Sequence, residues 1–144
     1  MGTAFYYSHM GYFAEVVQVT VAASGTFKVD KVWVAADVGS QIINPIGAEN
    51  QVQGAALDGI GQTLLQINIA NGRVKEQNFD DYRMVRMNET PQIEVYVVDS
   101  TEKPGGMGEP ATALVAPAVC NAIYAACGKR VRRLPIEPAT LAKA

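Results

Sequence analysis

YFAEVVQVTVAA at Tyr12–Ala23, the break Ser24-Gly25, and FKVDKVWVAAD at Phe27–Asp37 together decide how this chain folds. The first run is rich in valine and sets Phe13, Val17, Val19 and Val21 on one parity. That period of two marks a half-buried strand. Two such runs joined by a short glycine-containing loop predict a hairpin. In the second run Phe27 and Val29 lie on one parity and Val32, Val34 and Ala36 on the other. A bulge near Asp30-Lys31 reconciles them.

Outward from this core, Thr3–Ser8 (TAFYYS) predicts a further strand ahead of Gly11, with His9 a solvent-facing strand residue. Downstream, Asn44-Pro45 ends the strand pattern, and Val52, Ala55, Ala56, Ile60 and Leu64 recur at helical spacing between about Gly47 and Leu65. Gly54, Gly59 and Gly61 lie inside that helix, each at a cost of about 1 kcal/mol relative to Ala. Close approach of a neighbouring element or of a ligand accounts for them. Asn71-Gly72 between Ile67–Ala70 and Arg73–Glu76 is the signature of a type I′ hairpin. Gln77–Pro91 is irregular and polar, and Gln92–Asp99 (QIEVYVVD) reads as a half-buried strand. A second helix follows Glu109-Pro110 through Leu114, Val115, Val119, Ile123 and Cys127, with Pro117 dividing a short opening turn from the main body. Gly128, followed by Lys129 and Arg130, stops it. The tail Leu134–Pro138 is expected to be extended. The fold class is α+β: one domain over residues 1–144, an antiparallel sheet of hairpins with two helices packed on it.

Composition closes off several functions. With 144 residues, 49% hydrophobic and 18% charged, the chain has material for a real core. Twelve Lys and Arg against 14 Asp and Glu give net charge −2, which argues against a nucleic-acid partner. No apolar run reaches the roughly 18 to 20 residues that span a bilayer, and Met1–Phe5 lacks the basic start of a secretory leader. Cys120 and Cys127, seven apart on a helix, stand roughly 10 Å apart along its axis, too far for a disulfide. One His and no Cys/His cluster leave no protein-ligated metal site to expect.

Two places break local rules. Gly105-Gly106-Met107-Gly108-Glu109-Pro110 sets a carboxylate behind a glycine-rich turn at the foot of a helix. Such a group either complements the helix dipole or acts as a rigidly held general base. The stretch lacks the Gly-Lys-[Ser/Thr] ending of a phosphate loop. Gln51-Val52-Gln53-Gly54 places an amide near the start of the glycine-rich helix, either as a surface residue or as a contact for a polar or heterocyclic ligand.

At these residues the sequence resembles the molybdenum hydroxylase large subunits, the xanthine dehydrogenase and aldehyde oxidase family. Gly108-Glu109-Pro110, Ala116-Pro117-Ala118-Val119, Asn121-Ala122-Ile123-Tyr124, Gly128, Arg130 and Leu134-Pro135 follow the order of that family's C-terminus. So do Asp37-Val38-Gly39, Asn44-Pro45 and Gln51–Gly54 upstream, while Asn78–Glu89 is most similar to the isoquinoline 1-oxidoreductase β-subunit branch. The likeness runs from about Thr3 to Pro138. It departs at Ala55, where a second Gly is common.

The resemblance implies a C-terminal portion of a molybdopterin-binding domain. Glu109 falls on the family's general base, Gln51 on a cofactor contact, and Gly106, Met107 and Gly108 on residues lining the metal site. The cofactor implied is molybdopterin cytosine dinucleotide, and the substrate is a small N-heterocycle or aldehyde. The partners are the remainder of the large subunit and a two-iron two-sulfur small subunit. Family subunits are several times longer, so the isolated chain is expected neither to hold the cofactor nor to turn over. The alternative is a non-enzymatic binding or scaffold domain that retains the fold.

Overall fold

Alternating apolar residues build three successive strands, β1 (Gly2–Ser8), β2 (Gly11–Val21) and β3 (Phe27–Asp37), in a computed structural model that describes residues 1–142. β1 pairs antiparallel with β2, and β2 antiparallel with β3. The β2–β3 register slips between Gln18, opposite Lys31, and Val19, opposite Val29, leaving Asp30 as the extra residue. Its carboxylate accepts a hydrogen bond from the Thr20 hydroxyl at 2.7 Å. The slip turns Val29, Val32, Val34 and Ala36 onto one buried face despite their change of parity.

The chain then forms α1 (Pro45–Leu64), opened by Asn44, whose Oδ1 accepts from the Gly47 N–H at 2.9 Å, with proline in the first turn. Beyond it β4 (Ile69–Ala70) and β5 (Arg73–Val74) make a small ribbon around Asn71 (φ 53°) and Gly72 (φ 74°). The ribbon is exposed and stands apart from the main sheet.

β6 (Gln92–Val97) completes a four-stranded sheet of order β1-β2-β3-β6 and runs parallel to β3, from Lys31 opposite Gln92 to Ala36 opposite Val97. The sheet is therefore mostly, not wholly, antiparallel, a correction to the sequence expectation. A parallel neighbour needs a long crossover, and the excursion through α1 and the loops after it supplies one.

α2 (Thr112–Cys127) ends at Gly128, which adopts φ 74° and donates its N–H to the Tyr124 carbonyl. Contrary to the reading of Pro117 as a divider, the helix runs through it. Proline deletes one hydrogen bond there, and both Pro117 and Ala113, one turn earlier, lie on the exposed side. The opposite side, Leu114, Val115, Ala118, Val119, Ala122 and Ile123, is fully buried and holds the helix together. A third helix, α3 (Pro138–Leu141), begins at the end of the tail expected to be extended. It caps the β2–β3 loop, where Gly25 runs against the Pro138 carbonyl.

α1 and α2 pack against each other and on one face of the sheet. Phe13, Val17, Val32 and Val34 meet Val52, Ala56 and Ile60 of α1 and the apolar side of α2 in a single core. Each large side chain buried there contributes about 1.5–3 kcal/mol. Gly59 lets the helices close: a Cβ on it would stand 2.6 Å from the Val115 side chain and 2.9 Å from the Thr112 carbonyl.

Candidate functional site

The chain leaves β3 through Val38 and Gly39, and the segment before Glu109 lies back along this exit. Ser40 donates its N–H to the Glu102 carbonyl at 3.0 Å, and Gly105 to the Val38 carbonyl at 2.8 Å. Gly39, at φ 92°, abuts the Lys103 carbonyl so closely that no side chain fits. Gly106 donates to the His9 carbonyl at 2.8 Å.

The β1–β2 connection is a two-residue turn in which His9 (φ 53°) and Met10 (φ 61°) are both left-handed. His9 is thus a turn residue, not the strand residue expected; it is exposed, with Nδ1 2.7 Å from the Ser8 hydroxyl. A Cβ on Gly105 would lie 2.8 Å from the His9 carbonyl oxygen and 2.9 Å from that of Met10. One on Gly106 would lie 2.8 Å from the His9 Cβ. Both glycines are required by packing against this turn.

The next residues diverge. Met107 is half-buried against the core. Gly108 is exposed, and the nearest atom to a Cβ placed on it is Nε2 of Gln51, at 3.7 Å. Glu109 is exposed, and its carbonyl accepts from the Thr112 N–H at 3.0 Å, which ties it to the foot of α2. Pro110 and Ala111 behind it are buried. Ala111 caps α2 without a side-chain hydrogen bond, and the first helical N–H, that of Thr112, is taken up by the Glu109 carbonyl. The Gln51 amide and the side-chain-free backbone of Gly108 share one exposed edge, with the exposed Glu109 next in the chain.

The structure therefore sets the Gln51 amide beside Gly108, the residue before Glu109. Gly106 faces the β1–β2 turn and Met107 the core. Of the three glycines in α1, Gly59 serves helix packing; a methyl on Gly54 would have nothing within 4 Å, and one on Gly61 only Val85 at 3.8 Å. Both border a groove of about 300 Å³ shared with Leu57, Leu65, Tyr82 and Met84.

Sequence reasoning missed two features. One is the left-handed turn at His9-Met10, which lacks the Asn-Gly signature. The other is Glu15, 1% exposed on β2, with both carboxylate oxygens unpartnered among the described residues. Its place between Phe13 and Val17 on the buried parity was a legible signal. Burial pushes its carboxyl up from 4.5 to about 8. Cys120 and Cys127 are free and half-buried, and burial raises the Cys120 thiol while Arg130 opposes it. Among the described residues no group of three or more His, Cys, Asp or Glu could hold a metal ion, and no helix is long and apolar enough to cross a membrane.

The sequence profile described as "Molybdopterin cofactor-binding domain" matches residues 1–91. The membrane-bound aldehyde dehydrogenase (pyrroloquinoline-quinone) of Gluconacetobacter polyoxogenes is 40% identical over 126 residues, 86% of this chain and 16% of its own. Isoquinoline 1-oxidoreductase subunit beta of Brevundimonas diminuta is 33% identical over 118 residues, 81% of this chain and 15% of its own. Among solved structures, the aldehyde oxidoreductase of Desulfovibrio desulfuricans superposes with a TM-score of 0.77 at 30% identity, covering 91% of this chain and 15% of that one. The chain thus spans about a sixth of the length of the relatives it matches.

Proposed function

Because the chain belongs to the molybdopterin cofactor-binding domain family, we propose that it supplies one wall of the cofactor site of a molybdenum hydroxylase, with Glu109 as general base and Gln51 as cofactor contact. The observation that supports this most is the approach of the Gln51 amide to Gly108, next to Glu109. The residues fit such a group. Gly108 leaves backbone bare at an exposed edge, so a bulky ligand can lie against it.

When bound, the cofactor supplies the two-electron oxidation of an aldehyde or an electron-poor N-heterocycle. The chain's own part is positional and acid–base. The Gln51 amide offers two N–H donors and a carbonyl acceptor to the polar rim of the cofactor. The Glu109 carboxylate, tied at its backbone to Thr112, would take the proton of the oxygen nucleophile as that oxygen bonds to the substrate carbon. Gly106 and Met107 contribute by fixing the backbone before Glu109, and Gly108 by leaving room.

In the assembled enzyme the cofactor takes the cytosine dinucleotide form, the remaining wall comes from the rest of a large subunit, and electrons leave through a two-iron two-sulfur subunit. The 144-residue chain alone is inactive. The test is Glu109→Gln in the complete enzyme, assayed on aldehydes and N-heterocycles with a dye acceptor. Turnover is expected to fall by about 10²–10⁴-fold with molybdenum content unchanged. Unaltered turnover rejects Glu109 as the base. Metal and quinone analysis of the same preparation separates this reading from the pyrroloquinoline quinone for which one relative is named: molybdenum without quinone is expected.

A further inference from the structure

We propose that the β1–β2 turn is a positioning element for this site: the backbone and Cβ of His9 hold Gly106 and thereby set how close the Gln51 amide stands to the segment carrying Glu109. Its functional meaning rests on the reading of Gln51 and Glu109 as two sides of one site.

Left-handed φ at two consecutive residues is the natural property of Asn-Gly, and the chain uses that pair at Asn71-Gly72, where a side chain on the glycine would meet nothing within 4 Å. At His9-Met10 the same geometry is imposed on a pair without glycine, and Met10 in particular adopts it poorly. Such strain persists only where surrounding contacts over-determine it. Here the contacts are to the glycine loop. The His9 carbonyl accepts from Gly106, and the Gly105 surface closes on the carbonyls of His9 and Met10.

Gly105 and Gly106 thus hang from two different places, the end of β3 through Val38 and the β1–β2 turn through His9. Met107 is the single residue between this double anchor and Gly108, and its side chain is held against the core. Gly106 is thus only two residues from Gly108, beside which the Gln51 amide lies. The two glycines differ in what blocks them. Gly105 faces backbone carbonyls, whereas the three nearest atoms to a Cβ on Gly106 all belong to the His9 side chain, beginning with its Cβ at 2.8 Å. His9 is in this sense a positioning residue.

That difference makes the proposal testable in the 144-residue chain by NMR, reading the nuclear Overhauser contact between the Gln51 side-chain amide and Gly108 and the exchange rates of the Gly105 and Gly106 amides. Gly106→Ala is expected to abolish the Gln51–Gly108 contact and to speed exchange at residue 106 by tenfold or more. Combining it with His9→Gly, which removes the opposing Cβ, restores both. Gly105→Ala combined with His9→Gly stays defective, because its obstacle is backbone. Should Gly106→Ala fail to fold, one glycine inserted between His9 and Met10 displaces the turn instead. It should deprotect Gly106, leave Gly105 protected on Val38 and weaken the Gln51–Gly108 contact.

A turn serving stability alone would lower the melting temperature and leave that contact intact. This result, or failure of His9→Gly to rescue Gly106→Ala, overturns the proposal. The readout uses neither cofactor nor substrate, so its failure is distinct from a failed Glu109→Gln assay.

Discussion

Glu15 makes the stability of this chain fall as pH rises, in a range where most proteins are insensitive. Its carboxyl sits on β2 between Phe13 and Val17, 1% exposed, with neither oxygen hydrogen-bonded among the described residues. Burial raises it from 4.5 to about 8. The folded state therefore keeps a proton that the unfolded state releases above its ordinary carboxylate range. The contribution is fully present below pH 4.5 and is lost as pH climbs toward about 8. Each unit in that window removes about 1.4 kcal/mol, and the whole interval roughly 5 kcal/mol. That is comparable to the whole stability of many domains, about 5–15 kcal/mol.

Glu15→Gln keeps the shape and cannot ionise. Urea unfolding of both chains between about pH 5 and pH 8 isolates the group, since every other titration is common to the pair. The unpaired buried amide shifts the intercept, not the slope. Wild type is expected to lose about 1.4 kcal/mol per pH unit relative to the variant. A stability difference that stays constant over this range refutes the reasoning.

Two further outcomes follow from the same contacts. Gly59→Ala forces a methyl into Val115 and is expected to destabilise by about 1–3 kcal/mol, whereas Gly54→Ala, with nothing in its way, should stabilise by about 0.5–1 kcal/mol; paired urea curves check both, and equal effects would sink the distinction. The Glu89 carboxyl is held below the ordinary range by the Arg83 guanidinium first, then by the Arg86 N–H. Its contribution to the local turn is present above pH 4.5 and is lost as pH falls through the lowered value. An NMR titration should place its midpoint below 4.5 and move it upward in Arg83→Ala.

What the sequence disclosed and what it hid divide along local and distant causes. The valine parity of β2, the bulge opposite Gln18, the Asn44 start of α1 and the Gly128 stop of α2 are written within a few residues of where they act. The direction of β6 is not, because QIEVYV pairs equally well either way and only the path through α1 settles it. Pro117 misled for the same reason: its lost hydrogen bond is outweighed by the burial of Leu114, Val115 and Val119, which spacing alone does not weigh. At the site, Glu109 and Gln51 stood out as local oddities, but their pairing entered through family resemblance. Nothing in the intervening residues says that Gln51 meets Gly108. The His9-Met10 turn stayed hidden because the pair lacks the glycine that marks a left-handed hairpin turn.

The helix crossing then explains how the two halves of the site hold their spacing. α1 and α2 meet at Gly59, against Val115 and the Thr112 carbonyl. Gln51 lies about 12 Å back along α1 from that crossing, and Gly108 just ahead of the first turn of α2. Both segments lie toward the N-terminal ends of their helices from this contact, so the closeness at Gly59 acts together with the β1–β2 turn on their separation at the exposed edge. A methyl at Gly59 acts at the crossing and should part Gln51 from Gly108 as well as lower stability. A methyl at Gly54, on the face with open space, should leave the Gln51–Gly108 contact untouched. Measuring that contact in the two variants separates the glycine that spaces the site from the one that does not. If it survives Gly59→Ala in a folded chain, the spacing is set by the β1–β2 turn alone.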